Sequence, residues 1–209
     1  MILSLQKISP VFLKSDSSDV WNKAIEFQDQ NILITAPSGT GKTSLFNILY
    51  LIDQNFEGQY ALNEKEAKTH TKTEIASIRK NKISAVFQNY HGFDELSLME
   101  NIEIKNQLTN YFNASEIERL IELLGLADKK DQITANLSYG QRQRLSFLCA
   151  LCQPFKWLIM DEPFSHLDTL NIKIIHSILV EELKERNANM ILLSLEQDYQ
   201  LPFDKTYQL

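Results

Sequence analysis

Three hydrophobic rhythms run along this chain, and each predicts a different kind of element. Leu3 and Leu5, then Ile25 and Phe27, alternate with polar neighbours, which predicts short half-buried strands joined by a polar loop at 14–19. Short apolar runs predict buried strands at 31–35, at 83–87 ending before Gln88, at 157–160 and at 190–195. The last is the final clear core element, and a further strand and surface segment is expected from Gln59 onward. Helical spacing predicts helices at 43–52, at a stretch reaching Arg79 or Lys80, at 139–152 before Pro154, and at 170–185. The 170–185 helix is expected to bury Leu170, Ile174, Ile178 and Leu179. From 89 to 136 no good strand pattern occurs. Its best element is a helix at 116–124, with Ser115 and Glu118 as a capping box, Ile117, Leu120, Ile121 and Leu124 on one face, and Gly125 as the stop. Strands alternating with helices indicate an α/β core, with 89–136 as a helical insertion.

Composition narrows the class without naming a function. At 209 residues the chain fits one large domain, or a core carrying an insertion. With 27 acidic residues against 21 basic ones it lacks the basic balance of a nucleic-acid binder. Its longest apolar runs fall far short of the ~20 residues that cross a bilayer, and the first residues lack a signal peptide's basic flank, so a cytosolic chain is expected. Cys149 and Cys152 are spaced C-x-x-C, but within one predicted helix and without a second pair; they are expected to be small packing residues.

The chemistry concentrates where strands end. Ala36-Pro37-Ser38-Gly39-Thr40-Gly41-Lys42-Thr43-Ser44 lies between a strand and a helix and meets the pattern G-x-x-x-x-G-K-[ST] everywhere but its first place. Backbone N–H groups and the helix dipole favour a phosphate there, Lys42 would reach the outer phosphates, and the Thr43 hydroxyl would ligate Mg²⁺. Asp161 and Glu162 follow the apolar run Trp157-Leu158-Ile159-Met160. Asp161 suits a hard cation, and Glu162 suits polarising a water. Gln88 ends a strand at the edge of the insertion and offers an amide to metal or water. Leu137-Ser138-Tyr139-Gly140-Gln141 opens a helix with Ser138 near its N-cap, a second anion-binding start without a lysine. Two such starts and one lysine-bearing loop make sense if two chains face each other across a shared nucleotide.

Taken together and in this order, the motifs resemble those of the ABC-type ATPases, the nucleotide-binding subunits of ATP-binding cassette transporters. Residues 36–44 resemble the Walker A loop, Gln88 the Q-loop glutamine, and Leu137 to Gln141 the signature L-S-G-G-Q with Tyr139 at its third place. Residues 157–162 resemble Walker B with its catalytic glutamate, and Ser165-His166-Leu167-Asp168 the D-loop. Phe12 falls where the family places an aromatic on adenine. The runs 79–88 and 99–102 most resemble the branch serving lipoprotein release, macrolide export and cell division. The resemblance implies a P-loop NTPase core with an N-terminal antiparallel β subdomain and an inserted α-helical subdomain, a single domain over 1–209 with 1–88 and 137–209 as core and 89–136 helical. It implies a head-to-tail dimer, with itself or a related ATPase, around two ATP with Mg²⁺ held by Thr43, Gln88 and Asp161. Glu162, Gln88 and Lys42 are then catalytic, Ser138, Gly140 and Gln141 close the opposite site, and Ser165, His166 and Asp168 lie at the dimer contact. It further implies a separate transmembrane permease subunit, peripheral attachment to the inner face of the cell membrane, and no nucleic-acid partner. A regulatory cassette that gates a membrane partner without moving solute, and an ATP-dependent scaffold with little hydrolysis, are the alternatives.

Three departures from the family pattern modify that expectation. Ala36 replaces glycine, which the loop tolerates unless that position needs positive φ. The family's Thr-His-Asp after its last core strand is Ser194-Leu195-Glu196, and His70, His91, His166 and His176 all lie elsewhere. Loss of one preorganised donor to the γ-phosphate costs ~100- to 1000-fold in rate, so a slow ATPase that still binds ATP is expected, with His166 a candidate to supply part of the missing function. Cys149 stands where the family commonly has arginine, and the usual tail is absent, as in a divergent or minimal member.

Overall fold

In the computed structural model, which describes residues 1–11, 18–195 and 199–209, the apolar runs become neighbours in one sheet. Five strands lie parallel in the order β6 (Ile83–Val86), β7 (Trp157–Asp161), β8 (Asn189–Ser194), β3 (Ile32–Thr35) and β9 (Lys205–Gln208). Side chains alternate across it. Leu33, Val86, Leu158, Met160, Met190 and Leu192 join one buried cluster, while Ile32, Ile34, Ile83, Trp157, Ile159, Ile191 and Leu193 join the other. A parallel sheet buried on both faces requires cover on both, which is why its central strands β7, β8 and β3 read as apolar runs.

One cover is mixed. Helix α1 (Lys42–Leu49) contributes Leu45, Phe46, Ile48 and Leu49, and a second, antiparallel sheet contributes Leu3, Leu5, Phe27 and Tyr60. That sheet runs β2 (Ala24–Phe27), β1 (Leu3–Pro10), β4 (Phe56–Leu62), β5 (Lys65–Glu66). Leu5 pairs with Ile25 on one side and Tyr60 on the other, so the alternation predicted from the first residues is the register observed. Helix α2 (Lys72–Asn81) leads into β6. The opposite face is covered by α3 (Leu98–Gln107), α4 (Ala114–Leu123), α5 (Tyr139–Leu151) and α6 (Thr169–Arg186), whose apolar residues share the first cluster. Between β6 and β7 the described residues form no strand, only an isolated bridge between Ser97 and Ile133.

Several expectations shift. Helix α4 starts at a capping box of Asn113 and Glu116, two residues before the predicted one, because Ser115 spends its hydroxyl on the Asn113 side chain and Glu118 pairs with Lys130. Helix α6 buries Ile175, Ile178, Leu179, Glu182 and Leu183, while Leu170 is 69% exposed. Ile178 and Leu179 are buried as expected and Ile174 packs against the same cluster, but the stripe continues through Glu182, buried and bonded to Arg186 at 2.8 Å, a polar place that apolar spacing does not mark. β9 was absent from the prediction: it is a polar edge strand on β3 and carries no apolar signal. Helix α3 was likewise not singled out, although Ser97 and Glu100 form a capping box that marks its start.

Candidate nucleotide-binding site

Four segments far apart in sequence converge because their strands are neighbours. At the carboxyl ends of β6, β7, β8 and β3, in that spatial order, stand Gln88, Asp161 with Glu162, Ser194 with Leu195, and the loop starting at Ala36. Ligands of parallel α/β sheets bind at this edge.

The loop is shaped by two glycines and tied down at both ends. Gly39 and Gly41 have φ of 83° and 99°, conformations costly for any residue with a Cβ. Ala36 is not among the positive-φ residues; it is buried and its N–H donates to Ser194 O at 3.0 Å, so alanine serves at this place. Pro37 O accepts from Thr40 Oγ1, and Thr40 O accepts from the indole N–H of Trp21, a buried residue that belongs to none of the motifs. Gly41 caps α1 without any side-chain hydrogen bond, which leaves first-turn N–H donors for an anion beside Ser38, Thr43 and Ser44.

The charged groups interlock. Buried Lys42 donates to Ala36 O at 2.8 Å and Pro37 O at 3.0 Å and pairs with Glu162 Oε1 at 3.3 Å. Glu162 reaches back to it from a left-handed turn, φ 45°, a strained conformation for glutamate. Across the site, Thr43 Oγ1 donates to Asp161 Oδ2 at 2.9 Å, while Asp161 Oδ1 is buried without a hydrogen-bond partner among the described residues. A hydroxyl and a buried carboxylate with one oxygen unused suit Mg²⁺, which takes oxygen ligands.

Burial pushes the Asp161 carboxyl above its ordinary value; the Thr43 hydrogen bond opposes this, Glu162 adds to it and Lys42 opposes it. The native state therefore holds that proton more tightly than the unfolded chain does. The carboxylate costs stability above its raised pKa and nothing below the ordinary 3.8. Asp161→Asn is expected to stabilise the nucleotide-free protein at neutral pH by about 0.5–2 kcal/mol. The gain should shrink as pH falls toward the ordinary carboxylate value, and thermal melts across that range check it.

The remaining candidates lie apart from the loop. Gln88 is exposed, and among the described residues no hydrogen bond joins its amide to Thr43 or Asp161. Ser138 caps α5, its hydroxyl accepting from Gln141 N at 3.3 Å while the Gln141 side chain accepts from Ser138 N at 2.8 Å. Gly140 lies against His166 O, where an added Cβ would sit at 3.3 Å. Ser165 donates to Glu162 O, and Asp168 is the N-cap of α6, accepting from Asn171 N. His166 is exposed and its ring meets Tyr139 of the same chain. Phe12 and Glu196 lie outside the described residues. Leu195, at the place of the expected switch histidine, lines a cavity of about 190 Å³ with Thr35, Ala36, Pro37 and Gln208. Cys152 is buried in the core and Cys149 half-buried; burial pushes the Cys149 thiol up to about 12.

Residues 26–165 match a profile of the family described as ABC transporter. An uncharacterised ABC transporter ATP-binding protein of Methanocaldococcus jannaschii is 27% identical over 94% of this chain and 90% of its own length. A macrolide export ATP-binding/permease protein of Marinobacter nauticus is 30% identical over 94% of this chain. A probable syringafactin export ATP-binding/permease protein of Pseudomonas syringae is 31% identical over 79%. The chain spans only 31% and 26% of those two relatives' lengths. Among solved structures, the dimeric cassette MJ0796 superposes with a TM-score of 0.76 at 22% identity, covering 93% of this chain and 88% of that one, a likeness of fold.

Proposed function

This chain belongs to the ABC transporter family as an ATP-binding ATPase cassette, and on that premise we propose that it pairs head to tail with a second cassette around two ATP and drives a separate membrane-spanning subunit. The observation that carries the reading is the 2.9 Å bond between Thr43 and Asp161, which joins the phosphate loop to the acidic strand end at the sheet's ligand edge. In this reading residues 36–44 cradle the phosphates, and Thr43, Asp161 and Gln88 hold Mg²⁺, which when bound neutralises charge on the phosphate oxygens. Lys42 leaves its ion pair with Glu162 for the phosphates, and Glu162 is thereby released to orient and deprotonate water. Ser138, Gly140 and Gln141 belong to the other chain's pocket, and Ser165, His166 and Asp168 to the contact between chains. Two facts support that division: among the described residues no hydrogen bond or ion pair joins Ser138, Gly140 or Gln141 to the phosphate loop, and the MJ0796 cassette is described as dimeric. Phe12 is assigned to adenine stacking.

Residues 1–88 and 137–209 act as core and 89–136 as the partner-facing part of one domain. Supporting this, a groove of about 330 Å³ separates Phe87 and His91 from α3, and Phe93, Ile104 and Leu108 along it are exposed. No helix among the described residues is long and apolar enough to cross a membrane, so the reading places the chain peripherally on the cytoplasmic face, docked through that groove. Ile104→Glu with Leu108→Glu is expected to weaken co-purification with a co-expressed membrane partner by about 10-fold or more, leaving ATP affinity unchanged in a fluorescent-nucleotide titration.

The deciding experiment combines nucleotide binding with sedimentation. ATP and Mg²⁺ should convert the purified chain to a dimer with one nucleotide per chain, slow phosphate release should follow, and Lys42→Ala should abolish binding. Binding indifferent to Lys42 would overturn the reading. Leu195 at the switch position favours a second reading, an ATP-dependent dimerising scaffold with little turnover; a dimer stable for hours with wild-type Glu162 would select it.

A further inference from the structure

Tyr139 occupies the signature's third place, where the motif it resembles has glycine, and its side chain makes contacts that glycine cannot. From the first turn of α5 its hydroxyl donates to Asn89 Oδ1 at 2.6 Å and lies 3.5 Å from Gln88 O. Its ring meets His166 edge to face, with centroids 4.1 Å apart. The phenol is 41% exposed, so these contacts are chosen by direction rather than forced by burial. Around it the start of α5 is already fastened to the loop after β7: Gln143 Nε2 donates to Pro163 O at 2.9 Å from a buried position, and Gly140 packs on His166 O. The α5 start and residues 163–168 therefore form one body, and among the described residues the Tyr139 hydroxyl supplies the side-chain hydrogen bond that links that body to the Gln88–Asn89 turn.

We propose that Tyr139 is a positioning residue, a latch that makes the Gln88–Asn89 turn and the Ser138-bearing helix start move together. This rests on the head-to-tail reading in one respect. There, Gln88 belongs to a chain's own nucleotide site, while Ser138 belongs to the opposite one and His166 to the contact between chains. The latch then transmits the state of one pocket to the surface that closes the other. A short O–H···O bond at an exposed site is modest in strength, which suits a contact that must remake when nucleotide arrives.

The test uses the full chain carrying Glu162→Gln, so that turnover does not blur binding. Tyr139→Phe keeps the ring on His166 and removes only the hydroxyl. Without nucleotide it is expected to raise amide hydrogen exchange at residues 88–92 by about 2- to 10-fold. With ATP it should leave the affinity of the single chain unchanged and weaken ATP-driven dimerisation by a similar factor. Asn89→Ala should reproduce both effects and add nothing to Tyr139→Phe, whereas Asn89→Asp, which keeps an acceptor, should retain wild-type behaviour. Unchanged exchange at 88–92 in Tyr139→Phe overturns the latch. Changed exchange with unchanged dimerisation overturns its coupling role. If the parent chain stays monomeric at saturating ATP, the dimer reading fails and the coupling role with it, while the exchange measurement still decides the latch.

Discussion

Glu162→Gln is expected to slow phosphate release by about 100- to 10,000-fold while ATP stays bound. The side chain is nearly isosteric, so the left-handed turn at residue 162 and its N–H bond to Leu193 O should persist. What disappears is basicity, and with it the carboxylate that holds Lys42 at 3.3 Å. Among the described residues the lysine then retains the carbonyl partners Ala36 O and Pro37 O, which compete weakly against a phosphate. ATP affinity should therefore be unchanged or higher, and the two effects separate the roles of the residue: turnover falls through lost proton transfer, binding rises through a released cation. Single-turnover release of labelled phosphate, followed for hours because the parent rate is expected to be slow, measures the first. A nucleotide titration measures the second. A drop under 10-fold would remove Glu162 from the reaction.

Legibility followed hydrophobic and turn chemistry. β7 and β8 were readable because a strand buried on both faces must be apolar throughout, and the phosphate loop because only glycine tolerates the φ values at 39 and 41. Gln88 and Asp161 could be located singly, but their neighbourhood depends on strand order, which local pattern does not encode. The same limit hid β9, polar and at an edge, and the inward place of Glu182 on α6, where it pairs with Arg186 among the apolar positions. Tyr139 was visible as a departure from a motif. Its bond to Asn89, fifty residues earlier, was not, because it arises from packing α5 beside the end of β6.

The same strand order makes Leu195 the most informative position for a gain of function. β8 lies between β7 and β3, so the residue just past its end sits between the acidic pair and the phosphate loop. Leu195 occupies that place, 43% exposed and beside Ala36 and Pro37, and its side chain offers no donor. Histidine there would present an N–H toward the phosphate loop at little packing cost, since the cavity beside it is open and the leucine only half-buried. A preorganised donor to the transferring phosphoryl group contributes ~100- to 1000-fold in rate, so Leu195→His is expected to accelerate steady-state phosphate release on that scale. Because the donor acts on charge that develops during the reaction, kcat should rise with KM nearly unchanged. His166 bears on the same question from another side. If it supplies part of the missing function, His166→Ala should lower parent turnover but have little effect in the Leu195→His background. If its role is confined to Tyr139, it should leave turnover of the two backgrounds in the same ratio. Unaltered release by Leu195→His with ATP binding intact would mean that the missing histidine does not limit this cassette, and would turn attention to the Lys42–Glu162 pair, whose opening is a separate step on the way to water activation.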